Sequence, residues 1–365
     1  MTSSEVERGA PSRLIVVSVS MRTNGKSALA DRGSVDAGMQ RGMRTVRFEP
    51  NLASEWDEFV NRSKNGTLFH SRRFLSYHPQ DRFEDYSYMA YDGDRLVAVY
   101  PAAIQVRGAA RWWCSHPGST YGGPVVAPDA GIEEIARVLE TLADLGREAG
   151  FAGMEMRLSE QAFRARPADE IEFCLWRAGF QVKAAELSTT IPLMDGYEAS
   201  VARLREDTGR NVRKAARLGV EVSWSDDFET YWGVLEQNLA RHGTHPTHSL
   251  PEILRLRDLC PGKIRLALAR VQGVAAAGVV VFVANGVCFH SFYIAQDYAQ
   301  QQTRALSAVF DFLIRWGCEE RFRYFNLGIS TEQAGTVVNW GLFTFKQGFG
   351  GSGYLRTTYS LPWSA

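Results

Sequence analysis

The apolar positions change period along the chain, and the changes mark its elements. Between residues 264 and 294 they run nearly unbroken in three stretches, 264–270, 275–284 and 287–294. Val271-Gln272-Gly273 and Asn285-Gly286 separate them, and Asn-Gly is a strong signal for a tight hairpin turn. The pattern predicts an antiparallel meander of three strands. A helix over 303–318 follows, with Leu306, Val309, Phe310, Leu313 and Ile314 recurring on one face. Tyr324-Phe325-Asn326-Leu327 then reads as a buried strand and 354–361 as a last one.

The first half alternates more. Thr45-Val46-Arg47-Phe48 predicts a strand, and Trp56, Phe59 and Val60 fall at helical spacing. Residues 86–91 and 96–104 form a predicted hairpin around Asp92-Gly93-Asp94, and 109–115 a further strand. Residues 116–124 are a Gly/Pro loop. Residues 132–149 carry Ile135, Val138, Leu139, Leu142 and Leu145 on one face, an amphipathic helix that Gly150 ends. A strand at 154–158, a helix at 171–178 and a strand at 186–193 complete this half. Residues 1–42 hold too little apolar surface to offset ordering entropy and are expected to be a disordered extension.

Composition narrows the classes. The chain has 365 residues, enough for two domains, and is 45% hydrophobic. Lys+Arg and Asp+Glu number 41 each, which argues against a surface wholly devoted to gripping nucleic acid and leaves room for a local basic patch. The five cysteines lie far apart with no CxxC pair, the pattern of reduced core thiols in a cytoplasmic protein. No apolar run approaches the roughly 20 residues of a membrane span.

Two polar patterns could carry chemistry. A helix predicted over 197–218 places Arg203, Arg210, Lys214 and Arg217 within one wedge. Such a stripe is either a solvated face or a phosphate-binding one, for a nucleotide-linked substrate, coenzyme A or tRNA. After a helix over 228–241 come His242, His245 and His248, but Gly243 and Pro246 break the helix a metal site would need. No metal is expected, and His242 and His245 are read as loop residues touching substrate.

Residues 324–351 combine a strand end, a polar loop with Ser330, Glu332, Gln333 and Asn339, and a run of Phe343, Phe345, Lys346 and Phe349 among glycines. By composition this is a strand, a surface loop and an edge hairpin, or a pocket floor. The run F-N-L-G-x-S-x-E, then N-x-G-L-x-x-F-K-x-G-F-G-G, resembles the C-terminal signature of the bacterial Fem-like and CelD-like acyltransferases of the GNAT superfamily. Two further stretches are similar to the same families: Arg210 to Val220, and Trp56-Asp57-Glu58-Phe59-Val60 with Asn65-Gly66-Thr67-Leu68-Phe69.

The resemblance implies an α+β fold of two tandem GNAT-like domains, each a mostly antiparallel sheet flanked by helices. They would span 43–188 and 189–365, with the active site in the second. It implies a cytoplasmic N-acyltransferase in which an amine attacks an activated acyl carbon. The acceptor would be a small amine, such as an amino sugar, a cell-wall precursor or a biosynthetic intermediate. The donor would be acyl-CoA or aminoacyl-tRNA; a catalytically inactive binding module is the alternative outside enzymes. Lys346 matches the Phe-Lys pair of the Fem ligases and would stabilise the oxyanion or hold a donor phosphate. Glu332 would be the base, Tyr293 would protonate the leaving group, and Ser330, Asn339 and Phe345 would position substrate. One departure stands out. Where GNAT enzymes carry a glycine-containing pyrophosphate loop, residues 300–308 here contain no glycine.

Overall fold

The computed structural model describes residues 43–79, 81–241 and 243–363; the extension expected over 1–42, and His242, lie outside them. The first half runs β1 (Met43–Arg47), α1 (Ala53–Arg62), α2 (Arg72–Leu75), β2 (Glu84–Asp85), β3 (Tyr88–Asp92), β4 (Arg95–Tyr100), β5 (Ala102–Arg107), β6 (Ala110–Ser115), β7 (Val125–Val126), α3 (Ile132–Glu148), β8 (Gly153–Arg157) and α4 (Asp169–Arg177). β9 (Gln181–Pro192) leads into α5 (Gly196–Ala202), α6 (Glu206–Arg217), β10 (Val220–Ser225), α7 (Phe228–Ala240) and α8 (Leu250–Leu259). The second half continues with β11 (Ile264–Val271), β12 (Val274–Val283), β13 (Cys288–Gln296), α9 (Ala305–Glu319) and β14 (Tyr324–Ile329). A small hairpin, β15 (Thr331–Glu332) and β16 (Val337–Val338), precedes α10 (Trp340–Gln347) and β17 (Ser352–Pro362).

β1, β3, β4 and β7 form one sheet. The principal sheet has eleven strands in the order β10-β11-β12-β13-β14-β9-β17-β8-β6-β5-β2. The architecture is thus mixed α+β, with large, mostly antiparallel sheets flanked by helices, as the resemblance implies. Both halves contribute to the same sheet. The division at 188/189 falls inside β9, whose Ser188–Pro192 end pairs with β14 while most of its length pairs with β17. β17 in turn pairs with β8 of the first half. The last strand therefore fills the gap between the first half's own β8 and β9.

The core forms where the periodicity placed it. α3 buries Ile135, Val138, Leu139 and Leu142 against Trp113, Met154 and Met156. α9 buries Val309, Phe310, Leu313 and Ile314 against Val279, Val281, Phe289 and Phe325. The other face of the meander packs Phe282, Val280 and Leu266 against α7, α8 and first-half residues that include Phe69, Tyr121 and Phe163. The turn at Gln272-Gly273 has both residues at positive φ, 51° and 82°, as a tight hairpin requires.

Two local predictions need correction. The helix expected over 197–218 is broken between α5 and α6, because the Arg205 N–H donates to Gly348 O at 2.9 Å rather than continuing a helical ladder. The backbone at Gly350 also packs on Arg203, where a Cβ would come 2.8 Å from Arg203 Cβ. The stretch read as loop or hairpin around Lys346 is the eight-residue helix α10. Asn339 caps it, its Oδ1 accepting the Leu342 N–H at 3.0 Å. That places Leu342, Phe345 and Lys346 on one face.

Candidate active site

Two strand pairings among the described residues are parallel, and one of them builds the site. β13 and β14 pair side by side over Cys288–His290 and Tyr324–Asn326 only. Beyond His290 and Asn326 the two strands part. A bulge in β13 lies at that point: Val280 pairs with Tyr293 and Val281 with Ser291, leaving Phe292 as the extra residue. A cavity of about 690 Å³ opens between the strands. Its walls are Ser291 to Gln296 on one side and Leu327, Gly328 and Ile329 on the other, with Leu342, Phe345 and Lys346 of α10 and Thr120, Tyr121, Glu160 and Arg356 from elsewhere.

Lys346 is buried at 3% exposure, and its ammonium donates to Gly328 O at 3.0 Å and Ile329 O at 2.6 Å. Both acceptors belong to β14 just after it leaves β13. Burial lowers this lysine from the usual 10.5 to about 7, with the Glu160 carboxylate opposing the shift. Tyr293 also lines the cavity, but its hydroxyl is held: it accepts the His248 N–H at 2.9 Å and lies 2.7 Å from His248 Nδ1. The other ring nitrogen of His248 is 2.9 Å from the Tyr77 hydroxyl. Burial pushes the Tyr293 phenol up to about 12.

The other residues singled out in the sequence are placed as follows. Phe345 lines the cavity. Ser330 is buried beside it, its Oγ without a partner among the described residues. Asn339 is the cap of α10, and Glu332 stands exposed on the β15–β16 hairpin. His245 is exposed; the buried histidine of that loop is His248. Of the basic stripe, Arg203 sits beyond the helix break, donating to Asp195 Oδ2 at 2.9 Å and Pro192 O at 2.7 Å. Arg210 pairs with Glu206 on exposed α6, which also carries Lys214 and Arg217. Among the described residues no cluster of His, Cys, Asp or Glu is arranged to hold a metal.

The residues that the sequence concealed form a buried network at the cavity floor. Asn326 Oδ1 accepts the Gly328 N–H at 2.9 Å and lies 2.7 Å from His290 Nδ1. Its Nδ2 donates to Glu160 Oε2 and Thr190 Oγ1, both at 2.8 Å, and to Ser188 Oγ at 3.1 Å. Glu160, 1% exposed, also accepts from the Tyr121 hydroxyl at 3.0 Å and from the Ser188 hydroxyl. Burial raises its carboxyl from 4.5 to about 7, while the hydrogen bonds from Ser188, Tyr121 and Asn326 work against the shift. Asn326 stood inside the F-N-L-G run. His290 and Glu160 had no local signal, since what brings them together is the pairing of distant strands.

The comparisons with known proteins agree with this geometry. The family model of the acetyltransferase (GNAT) domain matches residues 202–340. The crystal structure of FemX superposes with a TM-score of 0.68 at 10% identity, over 88% of this chain and 97% of that one. A conserved protein of unknown function from Bacteroides thetaiotaomicron gives 0.55 at 11% identity, over 87% and 99% of the two chains. The C-terminal domain of a putative lysylphosphatidylglycerol synthetase from Agrobacterium fabrum gives 0.52 at 14%, over 72% and 80%. No curated protein matches the chain. Residues 202–340 thus match the acetyltransferase (GNAT) domain, and the fold is that of GNAT-like proteins. Across both halves its architecture is Fem-like.

Proposed function

We propose that this acyltransferase forms an amide on a small amine acceptor, with acyl-CoA as donor, inside the cavity between β13 and β14. The observation that carries the reading is the parting of these strands beyond His290 and Asn326, next to a buried lysine. Strands that separate leave backbone N–H groups without ladder partners, and such groups can receive an acyl oxygen. In its ammonium form Lys346 keeps a third N–H beyond the two spent on Gly328 and Ile329, suited to the same developing charge. Leu306, in the first turn of α9, lines the cavity, so the positive end of that 15-residue helix borders it and suits a donor diphosphate. We further propose that residues 43–188 and 189–365 are tandem GNAT-like units, the second holding the chemistry and the first lending Tyr121 and Glu160.

The amine nitrogen attacks the acyl carbon, its proton is removed, and the carbon–sulfur bond breaks to release the thiol. The enzyme's contribution is chiefly orientation and charge stabilisation.

The test is the thermal unfolding midpoint with and without saturating acetyl-CoA. A ligand that binds only the folded state at about 100 times its Kd adds roughly 2.7 kcal/mol. A rise of several degrees, followed by thiol release with a panel of amines, supports the reading. Absence of both directs attention to aminoacyl-tRNA, which α6 favours through exposed Arg213 and Arg217 beside Lys214. That donor predicts binding that weakens steeply with salt.

A further inference from the structure

We infer that His290 is the general base of this site, held in the required tautomer by Asn326, which Glu160 orients in turn. The inference rests on the acyltransfer reading above and assigns the proton it leaves unassigned.

The tautomer follows from the donors and acceptors around one amide. The Gly328 N–H can only donate, and it points at Asn326 Oδ1 at 2.9 Å. The Glu160 carboxylate accepts, and it faces Asn326 Nδ2 at 2.8 Å. Both ends therefore fix the amide the same way round, with the oxygen toward His290. The ring nitrogen 2.7 Å from that oxygen, Nδ1, must carry the proton. Nε2 is left with a lone pair. This nitrogen has no partner among the described residues, and it is not sealed in: His290 lines the cavity. The Cε1 edge of the ring lies beside Gly328, where a Cβ would come within 3.2 Å of it. Phe69, Phe163 and Phe292 pack edge-on around the ring at centroid distances of 5.9 to 6.3 Å.

Of the other titratable groups around the cavity, Tyr298 is a phenol with no basic nitrogen, and the rest are engaged. Both Glu160 oxygens accept hydrogen bonds from Tyr121, Ser188 and Asn326. Tyr293 is held by His248. Arg356 of β17 donates through Nε and Nη2 to Glu186 Oε2 at 3.0 and 2.7 Å. Lys346 donates to two carbonyls. His290 is the group with a basic nitrogen open to substrate, and it sits where β13 and β14 part, beside the bulge at Phe292. Burial lowers the imidazole from 6.5 to about 4, so it is neutral and able to accept at physiological pH.

The step balances without a further reactant. As the amine nitrogen bonds to the acyl carbon, the carbonyl π electrons move to oxygen and the nitrogen becomes cationic. Nε2 takes one N–H proton. The carbon–sulfur bond then breaks as the carbonyl re-forms, and the imidazolium returns its proton to the departing thiolate. Products are the amide and the free thiol.

Two measurements test this. Long-range proton–nitrogen correlation spectra of protein labelled with ¹⁵N-histidine, with the His290 signals assigned through H290Q, report the tautomer without any substrate. The expected form at neutral pH is Nδ1–H. Thiol release from acetyl-CoA with an amine panel then compares wild type, H290Q and H290A. The expected result is a kcat lower by about 10²-fold or more, a KM for acetyl-CoA within about twofold, and partial recovery of H290A by added imidazole. A merely structural histidine would show neither the selective loss of kcat nor the rescue. An Nε2–H tautomer, or a folded H290Q variant with undiminished kcat, overturns the assignment while leaving acyltransfer intact. A wild-type protein that forms no amide with acetyl-CoA or aminoacyl-tRNA overturns the acyltransfer reading, and the base falls with it.

Discussion

Among the described residues two strand junctions are parallel, and they differ: one is open and one is closed. In the second half, β13 and β14 pair over three residues and then part around a cavity. In the first half, β6 and β8 also pair over three residues, Trp112–Cys114 with Gly153–Glu155. There the notch is closed. Ser115 Oγ accepts the N–H groups of both Arg157 and Gly123 at 2.9 Å, and the Gly122 N–H donates to Arg157 O at 2.8 Å. The Gly/Pro loop thus occupies the gap with its own backbone. The third-pair residues differ in kind as well. Asn326 turns His290 toward a cavity, whereas Glu155 is spent on Arg107 and Lys183. The same backbone device therefore opens onto a cavity in one half and forms a structural joint in the other. The closed one still contributes, because the loop that fills it carries Thr120 and Tyr121 into the cavity of its neighbour.

The largest effect expected falls on the open junction. Lys346→Ala should reduce turnover by about 10²–10³-fold, the scale for loss of one preorganised donor, in a protein that remains folded by circular dichroism. Near-normal turnover would remove this residue from the chemistry. At the closed junction, Gly122→Ala should destabilise by about 1–3 kcal/mol in urea unfolding. A Cβ there would lie 2.4 Å from Ser115 Cβ and 3.1 Å from its Cα, so the loop must be displaced from the notch. An unchanged midpoint would mean that the loop does not fill the gap tightly.

A smaller effect links the two. Glu160 has a carboxyl raised from 4.5 to about 7, so the folded state binds its proton more tightly than the unfolded state does. Its burial therefore costs nothing below about pH 4.5, costs more as pH rises toward 7, and is constant above that. Glu160→Gln removes this dependence. The variant's stability relative to wild type should rise between pH 5 and pH 8, measured as paired urea midpoints, and a flat difference would contradict the assigned burial. The smallest effect belongs to Glu332, exposed on its hairpin. Glu332→Gln should shift stability by no more than about 0.5 kcal/mol, as expected for a surface site, and should leave turnover near wild type. Loss of activity there would bring the hairpin into the site.

What could be read from the sequence depended on the range of the interactions involved. The meander strands and the faces of α3 and α9 are set by neighbours a few residues away, and periodicity revealed them. The Asn285-Gly286 connection is instead a wider loop, with neither residue at positive φ and the Asn285 amide donating to Gly66 O and Phe163 O. Lys346 and Phe345 were legible through a resemblance in motif, although their helix was not: Trp340-Gly341-Leu342-Phe343 has little intrinsic helical preference and relies on the Asn339 cap and on packing. The break before α6 depends on Gly348, more than a hundred residues further along the chain. His290 and Glu160 belong to that second kind. A histidine in an apolar strand and a glutamate after one are unremarked until β14 is laid between β13 and β9.

The placement of β17 bears on how the chain matures. β8 and β9 are complete by residue 192, yet the strand that joins them is residues 352–362. While a ribosome is still translating the residues between, β8 and β9 have no partner between them, and their backbone groups are open to water or to a chaperone. The eleven-stranded sheet becomes continuous only when β17 has left the exit tunnel, so the strands on its two sides are joined late in folding.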